Sequence, residues 1–228
     1  GTVKNINGGQ EVTLTTTIKK KFAPQTPNGE PTYTDAIRLI KTYTVRKDTY
    51  EVGVDLQMEN LTDTPLDASF TLQGPGGLER EGTRRDMRNV VAAFAPTADQ
   101  IESRKVDMNE IAERTGQAGG SANFGFDLQQ TAPFAWAGVT NKYFATILRP
   151  VAPGDEFTLD SAKLGQAQYF PENAADDEPA ADVSFTVRMQ PYTLAPAGDS
   201  QAAQNVNFEL YLGPKDYDLF RDNPTYSA

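Results

Sequence analysis

The chain has 228 residues, 38% of them hydrophobic and 23% charged, and carries a formal net charge of −10. This composition excludes a disordered chain, and the negative charge disfavours nucleic acid and anionic lipid surfaces as partners, because both require Lys or Arg clusters. The absence of histidine and cysteine excludes Ser-His-Asp and Cys-His catalysis, disulfides and the usual zinc sites. We therefore expect no metal, no cofactor and no nucleic-acid partner.

The first predicted strand covers Glu11–Phe22, where polar and apolar residues alternate with the period of two that is typical of a strand. Thr-rich alternation and the run Lys19–Lys21 suit a strand at or near the edge of a sheet, because lysines discourage further pairing. A weaker alternation follows at Ile37–Val45.

Two stronger alternating runs, Tyr50–Met58 and Leu66–Leu72, are separated by the turn-forming residues Asn60–Pro65. We predict that these runs pair as an antiparallel hairpin. Asn60-Leu61-Thr62 matches the glycosylation pattern, and we interpret it as part of the turn, since a pattern of three residues is weak evidence for modification.

The stretch from Gly74 to Gly125 predicts loops with one or two short helices. Asn109 is the expected cap of one helix, with Glu110 and Arg114 paired at i, i+4 and Gly116 ending it.

Tyr143–Val151 is apolar on both faces, which predicts a central strand covered on both sides, and clean strands follow at Val183–Met189 and Val206–Leu212. Asn173–Asp182 is predicted to be an exposed acidic loop; calcium binding there is an alternative, but the ligand spacing of a calcium loop is absent. Together the patterns predict an all-β fold, an antiparallel β-sandwich with at most short helices, in a single domain over residues 1–228.

No phosphate-binding loop and no nucleophile-elbow motif occurs in the sequence, and its carboxylates show no motif of a catalytic pair. We therefore expect no enzymatic activity. The densest aromatic group contains the candidate binding surface Phe134, Trp136 and Tyr143. These residues suit either core packing, which is the favoured interpretation, or a contact surface for a protein or a sugar, and an exposed Trp136 would indicate the contact surface, whereas a buried one would not decide.

Three segments in order resemble the large extracytoplasmic domain of the YidC-type membrane protein insertases. The first is Thr42–Val54, continuing to Glu59-Asn60 and Pro65-Leu66, and it matches a strand, a basic-Asp turn and a second strand. The second is Trp136–Pro150, with a Tyr-Phe-Ala strand that ends at proline, and the third is Leu210–Lys215, with a Gly-Pro signature.

This resemblance implies a β-supersandwich related to galactose mutarotase, in a domain of the bacterial periplasm that is tethered to the inner membrane by segments outside this chain. It also implies that the chain corresponds to the C-terminal part of the family's full domain, because the family has a β-rich stretch before the equivalent of Gln10–Phe22. Gly213, Pro214 and Lys215 are expected to mark the exit of the polypeptide toward the membrane.

The function implied is a noncatalytic docking or scaffolding domain that helps to insert and fold inner-membrane proteins. Its expected partners are other protein-translocation components and nascent membrane proteins, with no direct insertion into the membrane by this domain. The alternatives are a carbohydrate-binding β-sandwich without epimerase activity, which requires exposed aromatics beside polar groups in a cleft, and a surface adhesion or structural domain.

Overall fold

The computed structural model of the chain describes residues 1–22, 30–78, 88–97, 100–116, 118–152, 154, 158–171, 181–216 and 218. Its strands, in chain order, are β1 (Thr2–Ile6), β2 (Gly9–Phe22), β3 (Thr32–Arg46), β4 (Glu51–Asn60), β5 (Leu66–Ala68), β6 (Thr71–Gln73), β7 (Asn89–Thr97), β8 (Gln100–Asp107), β9 (Gly120–Ala122), β10 (Phe134–Thr140), β11 (Phe144–Pro150), β12 (Ala162–Phe170), β13 (Asp182–Met189), β14 (Tyr192–Leu194) and β15 (Ala203–Pro214). The described helices are α1 (Met108–Arg114) and a 3-10 turn (Asp127–Gln129), and neither has the length and apolar character needed to cross a membrane.

The described residues form two compact units. The first contains Gly1–Ser69 and Pro191–Asn207, and the second contains the described parts of Phe70–Gln190 and Phe208–Ala228. Strand β15 contributes residues to both units. The expectation of one domain over residues 1–228 stays a prediction.

In the first unit, β1 to β4 form consecutive antiparallel pairs. Strand β2 pairs with β3 along its whole length, from Gly9 opposite Arg46 to Phe22 opposite Thr32. Strand β1 is the outermost of the four and pairs only with residues 9–13 of β2. The predicted strand Glu11–Phe22 therefore lies near an edge, as its lysines and threonines indicated.

Strand β4 keeps the register that its alternation predicts. Val54, Leu56 and Met58 are buried on one face, and Asp55 between them is exposed. This apolar face forms because each side chain follows the pleat to the same side as its second neighbour.

The predicted hairpin between Tyr50–Met58 and Leu66–Leu72 is wrong. Strand β4 pairs with β3, whereas β5 pairs with β14 and β6 pairs with β13. The reason lies at Asn60, whose fully buried side chain accepts a hydrogen bond from the Thr62 N–H at 2.9 Å and donates Nδ2 to the carbonyl of Ala195 at 2.9 Å. Asn60 thereby joins its turn to the segment after β14 and directs β5 there, which confirms the turn interpretation of the glycosylation pattern.

The second unit consists of two antiparallel sheets with the strand orders β15-β11-β10-β7-β8 and β6-β13-β12-β9. Strands β12 and β13 pack against β10, and the fully buried rings of Phe94 and Phe134 meet edge to face at 6.3 Å between centroids. Strand β11 lies between β10 and β15, as the doubly apolar run Tyr143–Val151 predicted. The all-β antiparallel sandwich is thus confirmed.

The interpretation of Gly74–Gly125 as loops is wrong for β7 and β8, which pair with each other over most of their length. Strand β7 escapes recognition because its sequence, VVAAFA, is apolar on both faces and rich in alanine, which has low strand propensity. Arg84 and Arg85 lie outside the described residues, as does most of the predicted acidic loop, including Asp176, Asp177 and Glu178.

Helix α1 is the short helix that the sequence predicts, with a different cap. Asp107, and not Asn109, precedes the first turn and accepts a hydrogen bond from the N–H of Glu110 at 2.9 Å. The predicted pair of Glu110 and Arg114 forms, and Gly116 takes the left-handed conformation, with φ of 73°, that glycine adopts without strain.

We predict that Val54→Asp lowers the free energy of unfolding by about 3 kcal/mol or more, because it places a carboxylate on the buried face of β4. The matched control is Val3→Asp, since Val3 is 66% exposed, and this change should shift stability by less than about 0.5 kcal/mol. Urea unfolding measures both. Equal stabilities of the two variants would show that the register of β4 is wrong.

Candidate functional site

A pocket of about 460 Å³ opens on one face of the larger sheet of the second unit. The apolar side chains of Val91, Trp136, Ala145 and Ile147 line it, and three lysines, Lys105, Lys142 and Lys215, stand at its rim. The pocket thus combines an apolar floor with a cationic border.

The floor follows from the cross-strand register. Lys105, Val91, Gly138, Ile147 and Tyr211 are successive partners across β8, β7, β10, β11 and β15, so their side chains share one face. Gly138 has no room for a side chain, because an added Cβ would lie 2.6 Å from the carbonyl oxygen of Thr146 and 2.9 Å from Cγ1 of Ile147, so Ile147 covers this position. In the neighbouring row, Ala145 pairs with Gly213. The small side chain of Ala145 therefore leaves room for the depression that it lines with Trp136 and Ile147.

The turn between β10 and β11 fixes one end of the pocket. The buried Asn141 accepts hydrogen bonds at Oδ1 from the N–H groups of Tyr143, at 3.0 Å, and Phe144, at 2.7 Å. Its own N–H donates to the carbonyl of Phe144 at 3.0 Å. The side chain of Asn141 therefore closes the turn that supports Lys142.

Lys215 is held at the rim by two hydrogen bonds to the same turn. Its backbone N–H donates to the carbonyl of Tyr143 at 2.6 Å, and Nζ donates to the carbonyl of Asn141 at 3.1 Å. Nζ of Lys142 lies 4.6 Å from the ring centroid of Tyr143, within range of a cation–π interaction. Two of the three ammonium groups thus have defined positions on one side of the pocket.

The third cation, Lys105, lies on β8 across from Val91. Its neighbour Arg104 points to the opposite face, where Nε binds Oδ1 of Asp127 at 2.9 Å and joins β8 to the 3-10 turn. This hydrogen bond holds the pKa of the Asp127 carboxyl below its usual range. The hydrogen-bonded ion pair of Arg104 and Asp127 is therefore fully formed above the ordinary pKa of a carboxyl group and is lost as the pH falls through the lowered pKa of Asp127.

The lining carries local positive charge in an acidic chain. None of the described residues that line the pocket is Asp or Glu, although the net charge of the chain is −10. Lysine ammonium groups bind carboxylates and phosphates as point charges. The described residues contain no group of three or more His, Cys, Asp or Glu placed to hold a metal ion. The arrangement suits noncovalent binding of an anion with an apolar part.

The structure separates the three aromatic residues of the candidate surface. Trp136, 8% exposed, packs in a buried cluster with Ile147 and Tyr211 and also lines the pocket, and Tyr143, 53% exposed, stands beside the rim. Phe134 lies in the core against Phe94, on the other face of the sheet. A β-bulge between Phe134 and Trp136 causes this, because it shifts the alternation by one residue.

The predicted exit segment lies next to the same pocket. Gly213 and Pro214 end β15 opposite Ala145 and Phe144, and Lys215 follows at the rim. Sequence reasoning missed Lys105 and Lys142, because the three rim lysines come from β8, a turn and the end of β15. One signal could have pointed to Lys142: it lies inside Trp136–Pro150, one of the three segments that resemble the insertase family.

A second pocket, of about 480 Å³, lies in the first unit at the β1–β2 turn and the end of β3. Arg46 and Lys47 line it together with Gly8 and Gly9. It has no aromatic residue among its described lining residues, and its apolar side chains are Ile6 and Val45. The pocket at Trp136 is therefore the stronger candidate.

Comparison with known proteins gives consistent matches. The family model described as the YidC periplasmic domain matches residues 12–226. A membrane protein insertase YidC from Chlorobium phaeovibrioides is 27% identical over 184 residues, which cover 80% of this chain and 27% of that protein. The insertase YidC from Bordetella pertussis is also 27% identical, over 79% of this chain and 27% of its own length. The chain thus spans about a quarter of the length of the curated relatives it matches.

Among solved structures, a galactose mutarotase-like protein from Lactobacillus casei aligns with a TM-score of 0.45 and 10% sequence identity. The alignment covers 92% of this chain and 72% of that one.

We predict that Asn141→Ala lowers the free energy of unfolding by about 2 kcal/mol, because the N–H groups of Tyr143 and Phe144 lose their acceptor. The same change should alter the fluorescence of Trp136 in the folded state, since the turn supports the pocket that Trp136 lines. The control is Asn207→Ala at an exposed position of β15. Urea unfolding followed by tryptophan emission measures both effects, and an Asn141 variant indistinguishable from this control would contradict the role of the turn.

Proposed function

Because the chain belongs to the YidC periplasmic domain family, we propose that it is a noncatalytic docking domain of a membrane protein insertase. In this proposal it lies in the bacterial periplasm and is tethered to the inner membrane by segments outside this chain. The observation that carries the proposal is the pocket at Trp136, in which an apolar floor and three lysines offer a binding surface for a polypeptide.

A docking function requires only noncovalent binding, which fits the residue types of the chain. The sequence has neither histidine nor cysteine, and insertion of an apolar segment into lipid makes and breaks no covalent bond. Insertion itself requires an apolar surface in contact with lipid, whereas a net charge of −10 repels an anionic bilayer. The domain therefore assists docking and leaves insertion to the membrane-embedded part of the protein.

The proposed partners are other protein-translocation components and nascent membrane proteins. A pocket of about 460 Å³ holds a few side chains of an extended segment and is too small for a folded surface element such as a whole helix. The proposal also assigns Gly213, Pro214 and Lys215 to the exit of the chain toward the membrane. The pocket then lies at the end of the second unit from which the polypeptide leaves, where a translocated segment arrives.

Carbohydrate binding without epimerase activity is the second candidate, and one observation favours it. The sole tryptophan lines a pocket that also contains the amides of Asn89 and Asn141. With 8% of Trp136 exposed, however, little of its ring face is open for a sugar to stack on, and cations dominate the rim. The docking role is therefore the better supported of the two.

We predict that the 228-residue chain shows negligible binding to anionic liposomes at physiological salt, because its net charge opposes the surface potential. Co-sedimentation with phosphatidylglycerol vesicles measures this, with neutral phosphatidylcholine vesicles as the control. Strong sedimentation with the anionic vesicles would contradict a docking role and assign part of the insertion work to the domain.

We further predict that deletion of this domain from the full insertase leaves insertion of simple substrates largely intact and weakens co-assembly with translocation components. Protease protection of the substrate and co-purification of the partners measure the two effects. Complete loss of insertion with the membrane helices still folded would refute the division of labour.

A further inference from the structure

We propose that the lysine-rimmed pocket binds an extended polypeptide segment in which one or two large apolar side chains are flanked by Asp or Glu. This inference rests on the proposed docking function and gives the partner its chemistry. In an insertase, the matching ligand is the translocated flank of a nascent transmembrane segment.

The floor of the pocket sets the apolar requirement. Val91, which is partly exposed, and the buried side chains of Trp136, Ala145 and Ile147 form an apolar lining, and the depression exists because Ala145 is small. A volume of about 460 Å³ accommodates one or two large side chains. Because apolar contact with this lining removes apolar surface from water, the floor favours Leu, Phe or Met over polar residues.

The rim sets the charge requirement. Lys105 stands on β8, whereas Lys142 and Lys215 belong to the β10–β11 turn and the end of β15, so the cations border the floor on more than one side. The nearby carboxylate of Asp107 caps helix α1 through the N–H of Glu110. A ligand with acidic residues before and after its apolar side chains therefore meets an ammonium group at each end.

The uneven distribution of charge across membrane proteins favours translocated segments of this kind. Loops on the cytoplasmic side carry an excess of Lys and Arg, so the flanks that cross to the other side are depleted in positive charge. A translocated flank is thus poor in Lys and Arg, and a short apolar stretch within it that has Asp or Glu on both sides matches the pocket. The pocket would accept such a flank and reject a basic one, which remains on the cytoplasmic side.

A peptide fits the observations better than the headgroup of an anionic lipid. A bilayer presents its charge over an area larger than the domain, so the net charge of −10 opposes its approach. A short peptide approaches within the screening length, about 8 Å at physiological salt, and there responds mainly to the three lysines.

The sole tryptophan of the chain lines the pocket and reports binding without a label. The probe is a capped hexapeptide with Leu-Phe at its centre and two Asp on either side. Two matched peptides carry Asn or Lys in place of the four Asp. We expect the acidic peptide to change the Trp136 emission saturably, the Asn peptide to bind about tenfold more weakly and the Lys peptide not at all. Binding of the acidic peptide should weaken as salt rises to about 0.5 M.

Substitutions locate the site. The combination of Lys105→Gln, Lys142→Gln and Lys215→Gln should weaken binding of the acidic peptide about tenfold or more. Thr140→Met, which fills the pocket and leaves the lysines in place, should reduce the affinity by a similar factor. The matched control is Lys163→Gln, an exposed lysine on β12 in the smaller sheet, and it should bind like the unchanged chain. The melting temperature of each variant verifies that it is folded.

Equal binding of the acidic, Asn and Lys peptides, or full retention of binding by folded Thr140→Met, would overturn the inference. Displacement of the peptide by phosphatidylglycerol vesicles or by galactose would also overturn it, and would assign the pocket to a lipid or a sugar. The proposed docking function is tested separately, by deletion of the domain and its co-assembly with translocation components, so the two proposals fail by different results.

Discussion

The turn that Asn141 closes is the constraint on which the rest of the second unit depends. Its side chain accepts the N–H groups of Tyr143 and Phe144, and its carbonyl accepts Nζ of Lys215. These bonds hold the turn that joins β10 to β11, whose pairing places Thr140 and Ala145 side by side in the pocket lining. The buried amide of Asn141 thus closes the turn that carries Lys142, and the backbone carbonyl of the same residue holds Lys215, so stability and binding are coupled at this point.

The pocket also depends on the β-bulge in β10. Without the bulge between Phe134 and Trp136, both rings would point to the same face, and either the core or the pocket would lose its aromatic residue. With it, Phe134 packs against Phe94 in the core while Trp136 lines the opposite face. The proposed role follows from this placement, because a cationic, apolar depression in an acidic chain can discriminate between polypeptide segments by charge as well as by hydrophobicity.

Much of the fold could be predicted from the sequence, because alternation reports which face of a strand is buried. It gave β4, β11, β13 and β15 correctly. It failed for β7, where both faces are apolar, and for the partner of β5, because the hydrogen bonds of Asn60 to Ala195 join residues far apart in the chain. The pocket was predictable only in part: Trp136 was selected as a candidate binding residue and Lys215 only as part of the exit segment, whereas Lys105 joins them solely through cross-strand pairing.

Site-specific photo-crosslinking in the full-length protein tests the central claim most directly. A crosslinker replaces Thr140 at the pocket, and the same crosslinker at Lys163 on β12 serves as the control. The account predicts that Thr140, and not Lys163, captures a stalled nascent membrane protein whose translocated flank is apolar and acidic, and that Lys residues introduced into this flank abolish capture. Capture of lipid alone at Thr140, or equal capture of the nascent chain at both positions, would contradict it.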